Sequence, residues 1–142
     1  MNANTQLLVN IDVDDLAKAV DFYERALGLR VGRRFGALGV EMLGATAVIY
    51  LLLKAAGTKP SLNAAAVRRY QRHWTPVHLD FVVSDLTVAV NRALKAGASC
   101  DQTSETHNWG RIAYMADPFG HGFCLIEFLN AGYDEIAETD RP

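Results

Sequence analysis

Two segments of the chain, residues 8–16 and 78–86, show the same hydrophobic pattern at a constant offset of 70. Both segments alternate apolar and polar side chains and end in Asp-Leu, and both are followed by apolar residues at i, i+3, i+4 and i+7. Alternation is typical of a half-buried strand, and the second pattern is typical of an amphipathic helix. Each half of the chain is therefore predicted to begin with a strand followed by a helix.

Short polar residues and glycines mark the ends of the two predicted helices. A side-chain oxygen at the N-cap accepts an otherwise unpaired N–H group of the first turn. The candidates for this role are Asp14 or Asp15 in the first half and Ser84 or Asp85 in the second. Gly28 and Gly97 follow the helices, where glycine adopts the left-handed conformation at low cost.

Three short strands are predicted after each helix, separated by glycines and turns. They cover residues 30–34, 40–43 and 46–53 in the first half and residues 99–102, 111–115 and 122–128 in the second. Two open βαβββ modules of this kind can bury their sheets only by packing together. The sequence thus predicts an α+β fold in which two tandem βαβββ modules form a curved mixed sheet around a cleft.

The two modules are joined by a connector, residues 55–75, and followed by a tail, residues 130–142. The stretch from Lys54 to Trp74 contains five basic residues and no acidic one, whereas the tail is acidic. The basic charges fit either a solvated surface or a flap that attracts an anionic ligand or an acidic partner. Asn63 is a candidate N-cap for a short helix from Ala64 to Arg72.

Composition narrows the class of protein. The chain has 142 residues and a net charge of −2, which suits one globular domain and argues against a nucleic-acid partner. No apolar run reaches the ~18 residues of a membrane span, and no secretory signal is visible. Cys100 and Cys124 form neither a CxxC motif nor a disulfide framework. A cytoplasmic protein with no membrane partner is expected.

Three stretches of the chain carry a resemblance to a known superfamily. They are IDVDDLAKAVDFYERALGL at residues 11–29, HLDFVVSDL at 78–86 and DPFGHGFCLIEF at 117–128. With the tandem βαβββ pattern, they resemble the vicinal oxygen chelate superfamily, which includes glyoxalase I, bleomycin-resistance proteins, fosfomycin-resistance enzymes and extradiol dioxygenases. The resemblance implies one glyoxalase-like domain over residues 1–142, with modules at 6–54 and 76–129, and a homodimer.

In the metal-dependent members of this superfamily, the ligands come from the first and last strands of each module. The corresponding positions here are Leu8, Tyr50, His78 and Cys124. Only His78 belongs to the usual set of His, Gln and Glu. Leu8 has no donor atom, and the other two side chains must lose a proton before they bind an ion. The resemblance therefore implies no firmly held metal cofactor, with a divalent ion bound through His78 as the alternative.

Strand periodicity extends this set of residues. If His78 faces the cleft, Asp80 does so too, because alternate side chains of a strand share a face. These two residues are about 6.6 Å apart along the strand and, with Tyr50, form the candidate catalytic group. The candidate ligand-binding residues are Asn10, Asp12, Leu52, Trp109, Cys124 and Ile126.

Several candidates also have a purely structural interpretation. Asp80 could pair with a connector arginine, and Tyr50 could pack with its hydroxyl group on the backbone. Cys124 is expected to be a small buried apolar side chain. His107, Trp109 and Arg111 lie at the loop that enters a predicted strand, which fits the rim of the cleft or an ordinary surface loop equally well.

Two further residues near the last strand are expected to lie away from the cleft. His121 directly follows the Asp-Pro-Phe-Gly turn and is expected in solvent. Glu127 has the opposite strand parity to Cys124, so it is expected on the other face.

Three functions remain open. The first is a glyoxalase/bleomycin-resistance-like protein that binds a small organic molecule in the cleft without a metal. The second is a divalent-metal-dependent lyase, isomerase or dioxygenase of the same superfamily that uses His78. The third is a metal-free enzyme in which His78 performs acid–base chemistry with Asp80 or Tyr50. Whether the protein is an enzyme therefore stays undecided by its sequence.

Overall fold

The computed structural model describes residues 4–138, apart from the side chain of Thr103. The chain divides into two compact units, residues 1–71 and 72–142. Each unit contains one helix and one four-stranded sheet, and the two units are described separately.

Unit 1 is the first βαβββ module. Its elements are β1 (Leu8–Val13), α1 (Leu16–Leu27), β2 (Arg30–Phe35), β3 (Gly39–Leu43) and β4 (Val48–Leu53). The strand order is β1-β4-β3-β2, with β1 parallel to β4 and the other pairs antiparallel.

Unit 2 repeats this topology. Its elements are β5 (Leu79–Val82), α2 (Leu86–Ala96), β6 (Ser99–Thr106), β7 (Gly110–Ala116) and β8 (Gly122–Phe128), followed by a short 3₁₀ helix (Gly132–Glu135). The strand order is β5-β8-β7-β6, with β5 parallel to β8. The predicted α+β fold with two βαβββ modules is confirmed.

The helix ends follow the capping pattern of the sequence. The side chain of Asp15 accepts a hydrogen bond from the Lys18 N–H at 3.0 Å, and that of Asp85 accepts one from the Val88 N–H at 3.1 Å. Gly28 and Gly97 adopt φ values of 69° and 117° after the last turns. Asp15 and Asp85, which directly precede the helices, are therefore the N-caps. Each was one of the two candidates that the sequence offered for its helix.

Each helix covers one face of its own sheet. In unit 1, α1 contacts β2, β3 and β4, and the apolar residues of the covered face are buried. They are Ile11, Val13, Val40, Met42, Ile49 and Leu51. In unit 2, α2 packs on β6, β7 and β8, over the face that includes Leu125 and Met115. The residues that alternate with these along each strand lie on the opposite face of the sheet. They include all the candidate site residues that belong to strands.

The helix predicted to end at residue 72 does not form. The Arg68 N–H donates to the Thr58 carbonyl, and the Gly57 N–H donates to the Arg68 carbonyl, both at 2.8 Å. These contacts occupy backbone groups that a helix would pair within itself. Residues 54–71 instead form an irregular segment of turns and bends that belongs to unit 1.

None of the helices described between residues 4 and 138 is long and apolar enough to span a bilayer. Of the acidic residues in the predicted tail, Asp140 lies outside the described part of the chain.

The N-cap of α1 gives a direct test of this fold. Asp15→Ala removes the acceptor for the Lys18 N–H and should lower the free energy of unfolding by about 1 kcal/mol. Urea unfolding measures this change. Asp14→Ala is the matched control, because Asp14 is exposed and makes no cap, and its effect should stay within about 0.5 kcal/mol. Equal effects of the two substitutions would contradict the assigned cap.

Candidate functional site

In each unit, the sheet face opposite the helix is called the uncovered face. In unit 1 this face carries a row of polar side chains across three adjacent strands. In the observed register, Asn10 of β1 lies opposite Tyr50 of β4, which lies opposite Glu41 of β3. Leu52 follows on the same face, opposite Asp12. The sheet therefore brings the predicted residues Asn10, Asp12, Tyr50 and Leu52 together on one surface.

Glu41 is a member of this row that strand periodicity alone did not single out. It is one of two buried charged residues in the described chain, and its carboxylate accepts hydrogen bonds from Arg33 Nε and Nη2 at 3.1 and 2.7 Å. The Arg33 backbone N–H adds a bond at 3.0 Å, and the Tyr50 hydroxyl donates one at 3.3 Å. Bonding to Arg33 lowers the pKa of Glu41 to about 2, so this carboxylate is ionised at neutral pH.

A pocket of about 410 Å³ opens on this face of unit 1. Most of its wall is apolar, and the polar groups are the Asn10 amide, the Tyr50 hydroxyl and Lys54. The apolar wall consists of Leu8, Phe35, Leu38, Leu52 and Leu53, with the backbone of Gly39. An apolar lining with few polar groups is the usual composition of a small-molecule site.

Asp12 makes a different contact from the one expected for a ligand-binding residue. Its carboxylate accepts a hydrogen bond from Arg68 Nε at 2.8 Å, and Arg68 also donates to Thr58 and the Lys59 carbonyl. The connector is thereby fastened to β1. A connector arginine was one expected partner for Asp80, whereas the structure pairs Arg68 of the connector with Asp12, two positions beyond the residue that corresponds to Asp80.

The uncovered face of the unit 2 sheet brings His78, Asp80 and Cys124 together. The donor atoms of these three side chains all lie within 4.8 Å of one another, and His78 Nε2 is 3.2 Å from Asp80 Oδ1. Asp80 and Cys124 are register partners on β5 and β8. His78 and Asp80 are partly exposed, whereas Cys124 is fully buried. His78 and Asp80 are therefore in direct contact, while their joint role toward a ligand or in catalysis stays a prediction.

The chemistry of Cys124 follows from its burial. Desolvation and the nearby Asp80 carboxylate raise the pKa of the thiol to about 12. Tyr114, the register partner of Cys124 on β7, likewise has a raised pKa, mainly through desolvation and the Glu105 carboxylate. Both groups therefore keep their protons at neutral pH. Tyr114 was not among the sequence candidates, since only the β7–β8 register places it beside Cys124.

Trp74 lies over this group of side chains. Its ring centroid is 4.8 Å from that of His78 and 6.1 Å from that of Tyr114. A Cβ atom on Gly122 would overlap the Trp74 ring, so the close approach depends on glycine at this position. Arg72 stacks over Trp74 at 5.5 Å and bonds the Asp101 carboxylate through Nε at 2.9 Å. No sequence pattern indicated this contact of Trp74 with His78.

The other predicted residues of unit 2 have structural partners. Ile126 is buried with Cys124 and Ile112, and Trp109 packs against this cluster. Trp109 also stacks on His107 with an interplanar angle of 3°. Ligand binding by Trp109 and Ile126 therefore stays a prediction.

Arg111 and His121 differ from their expected positions. Arg111 belongs to β7, and its side chain bonds Glu127 at 3.5 Å and Thr87 at 3.3 Å, so it lies on the α2 side of the sheet and not at the rim. Glu127 also accepts the Leu86 N–H at 2.7 Å, in agreement with its expected parity. His121 is half-buried rather than solvent-facing, because its Nδ1 lies 3.2 Å from His73 Nε2.

Comparison with known proteins agrees with this architecture. A model of the glyoxalase-like domain matches residues 8–126. The chain therefore belongs to the glyoxalase-like domain family, within the vicinal oxygen chelate superfamily.

Individual relatives cover most of this chain. It is 30% identical over 128 residues to the uncharacterized protein Mb0911c of Mycobacterium bovis, covering 88% of this chain and 84% of that one. It is 33% identical to the anthracycline biosynthesis protein DnrV of Streptomyces peucetius, covering 91% of this chain but 43% of DnrV. The structure of a glyoxalase-related enzyme from Fulvimarina pelagi is similar in fold, with a TM-score of 0.69, 18% identity and 88% coverage of both chains.

The lowered pKa of Glu41 predicts a specific pH dependence of stability. A carboxyl group with a depressed pKa in the folded state stabilises the fold above its unfolded pKa, near 4.5 for Glu41, and loses that contribution as pH falls toward about 2. Glu41→Gln lacks this contribution, so its unfolding free energy should fall less than that of the parent between these pH values. Urea titrations at successive pH values measure the difference. Glu24→Gln, on the exposed side of α1, is the matched control, and overlapping parent and Glu41→Gln profiles would contradict the prediction.

The two cysteines should differ sharply in reactivity. Because the pKa of Cys124 is about 12, its thiolate fraction near pH 8 is about 10⁻⁴, and its sulfur is buried. The exposed Cys100 should therefore be the thiol of the native protein that reacts with dithionitrobenzoate. In Cys100→Ser, rapid reaction should disappear and return only in urea. A fast native thiol in Cys100→Ser would show that Cys124 is accessible and ionised.

Proposed function

We propose that this chain binds a small organic molecule on the uncovered face of the unit 1 sheet, without a metal ion. The pocket there has a volume of about 410 Å³, within the range that small-molecule sites occupy. Its apolar wall supplies hydrophobic contact, and Asn10 and Tyr50 supply hydrogen-bonding groups that orient a ligand. This pocket is the observation that carries the proposal.

The residues at the metal-ligand positions of unit 1 support metal-independent binding. Leu8 offers no donor atom and instead forms part of the pocket wall. The Tyr50 hydroxyl donates to Glu41, whose carboxylate is also bonded by Arg33, so the hydroxyl has a hydrogen-bond partner in place of an ion. At the two unit 1 positions of the superfamily's ligand set, this chain therefore has an apolar side chain, Leu8, and a tyrosine, Tyr50, that is bonded to the Glu41–Arg33 ion pair.

Similarity to an anthracycline biosynthesis protein is compatible with an organic ligand. As the superfamily resemblance implies, we propose that the functional form is a homodimer. Sedimentation of the purified protein at micromolar concentration tests this, and a monomer throughout would contradict it.

A specific observation favours a second function, a divalent-metal-dependent lyase, isomerase or dioxygenase. His78, Asp80 and Cys124 supply nitrogen, oxygen and sulfur donors close together, a set that suits zinc better than magnesium or calcium. A bound ion would supply Lewis-acid polarisation of a substrate oxygen. The chain's own contribution would be the orientation of the His78 imidazole, between the Asp80 carboxylate and the Trp74 ring. In a metal-free enzyme, His78 and Asp80 would instead transfer a proton, with Tyr50 as a further candidate.

A binding measurement in the presence of a chelator distinguishes the two proposed functions. Its probe is N-phenylnaphthylamine, a neutral aromatic molecule. The proposal predicts saturable one-to-one binding, detected by fluorescence and calorimetry. Leu8→Asp places a charge in the apolar wall and should weaken binding about tenfold or more. The matched control is Leu62→Asp, because Leu62 is 89% exposed and does not line the pocket.

His78→Ala completes the test. Binding that persists in this variant with chelator present supports the metal-independent function. Binding that requires added zinc and disappears in His78→Ala would contradict it and support the metal-dependent alternative. Equal binding by Leu8→Asp and Leu62→Asp would place the ligand elsewhere and overturn the assignment of the pocket.

A further inference from the structure

The pocket of unit 1 contains a lysine that has no ion-pair partner among the described residues. Lys54 follows β4 directly and lines the pocket beside Leu53. Its backbone is fixed on both sides, because its N–H donates to the Val13 carbonyl at 2.9 Å and its carbonyl accepts the Tyr70 hydroxyl at 2.6 Å. Within residues 4–138, its ammonium group makes no hydrogen bond or ion pair.

Two carboxylates of unit 1, those of Glu41 and Asp12, are already paired with other cations. Glu41 on the same sheet face is bonded by Arg33, and Asp12 is bonded by Arg68. Neither is therefore a free counter-ion for Lys54. The connector adds Lys59 and Arg69 without any acidic residue, so the charge of this segment is positive. Among the residues that line the pocket, Lys54 is the charged one, so an anion entering the pocket would meet a positive charge.

The rest of the pocket suits an apolar body. Leu8, Leu38 and Phe35 are large apolar side chains that are 55%, 69% and 44% exposed. Covering such side chains with an apolar ligand removes their surface from water, which is favourable. The Asn10 amide stands on the same wall and can donate to an oxygen of the ligand.

We infer that the ligand is an amphipathic organic anion. Its carboxylate, sulfonate or phosphate group would bind the Lys54 ammonium, and its apolar body would lie against Leu8, Phe35 and Leu52. A charge-assisted hydrogen bond at the edge of an apolar wall adds both affinity and orientation. This inference rests on the proposed function and adds the chemical class of the ligand.

The test compares two probes that share an aromatic body and differ in charge. Anilinonaphthalene sulfonate carries an anionic group, whereas N-phenylnaphthylamine is its neutral analogue. Titrations of the folded full-length chain at low salt give a dissociation constant for each probe. Near-UV circular dichroism and the urea midpoint verify that every variant is folded, since the sulfonate probe also binds partly unfolded protein.

Lys54→Met should weaken binding of the sulfonate about tenfold and change binding of the neutral probe less than about twofold. Lys59→Met is the matched control, because Lys59 belongs to the same basic segment but does not line the pocket, and both dissociation constants should be unchanged. Added salt should weaken sulfonate binding in the parent more than in Lys54→Met, because salt screens the charge of the Lys54 ammonium and the variant lacks that charge.

The outcomes distinguish this inference from the proposed function. If both probes bind, both are weakened by Leu8→Asp, and Lys54→Met affects neither, the pocket binds organic molecules without selecting anions and the inference is overturned. If Lys54→Met and Lys59→Met weaken the sulfonate equally, a diffuse surface charge attracts it, and the inference is again overturned. If neither probe binds, the proposed function fails together with the inference. Selective loss of the sulfonate in Lys54→Met supports both.

Discussion

The candidate chemistry of this protein depends on one packing arrangement that occurs in both units. In each unit, one α-helix packs against one face of that unit's own sheet. Alternate side chains of a strand point to opposite faces, so burial of one set against the helix commits the other set to the uncovered face. Ile11 and Leu51 face α1, and their neighbours Asn10, Tyr50 and Leu52 therefore lie together on the opposite surface. A shift of one residue in register would exchange the core with the site.

The same framework holds different chemistry in its two copies. At corresponding positions, unit 1 has the row Asn10, Tyr50 and Glu41, and unit 2 has Asp80, Cys124 and Tyr114. In unit 1, Arg33 keeps a buried carboxylate ionised, whereas in unit 2 desolvation keeps the Cys124 thiol protonated. The first copy is suited to holding an organic molecule, and the second places an imidazole, a carboxylate and a thiol where they could act together.

The connector is part of this arrangement because it contacts both sheets through different residues. Arg68 binds Asp12 of unit 1, and Trp74 covers His78 of unit 2, where the absence of a side chain on Gly122 makes room for its ring. Arg68 is far from Asp12 in sequence, and Trp74 is far from Gly122, and the local patterns of these residues carry no sign of a partner. The short helix predicted within the connector does not form, because the backbone groups of Arg68 bond Thr58 and Gly57 instead.

Local pattern alone determined the repeated strand and helix, the α+β class and the faces of Asn10, Tyr50, His78 and Cys124, because period and parity are properties of neighbouring residues. It left two candidates for each N-cap, and the structure selects Asp15 and Asp85. The polar sequence of β6 gave little sign of its full length, which depends on pairing with β7. The Glu41–Arg33 pair, the Trp74 contact and the free Lys54 ammonium in an apolar pocket were decided only by the tertiary structure. Each depends on which groups the folded chain places beside one another, and no local period encodes that.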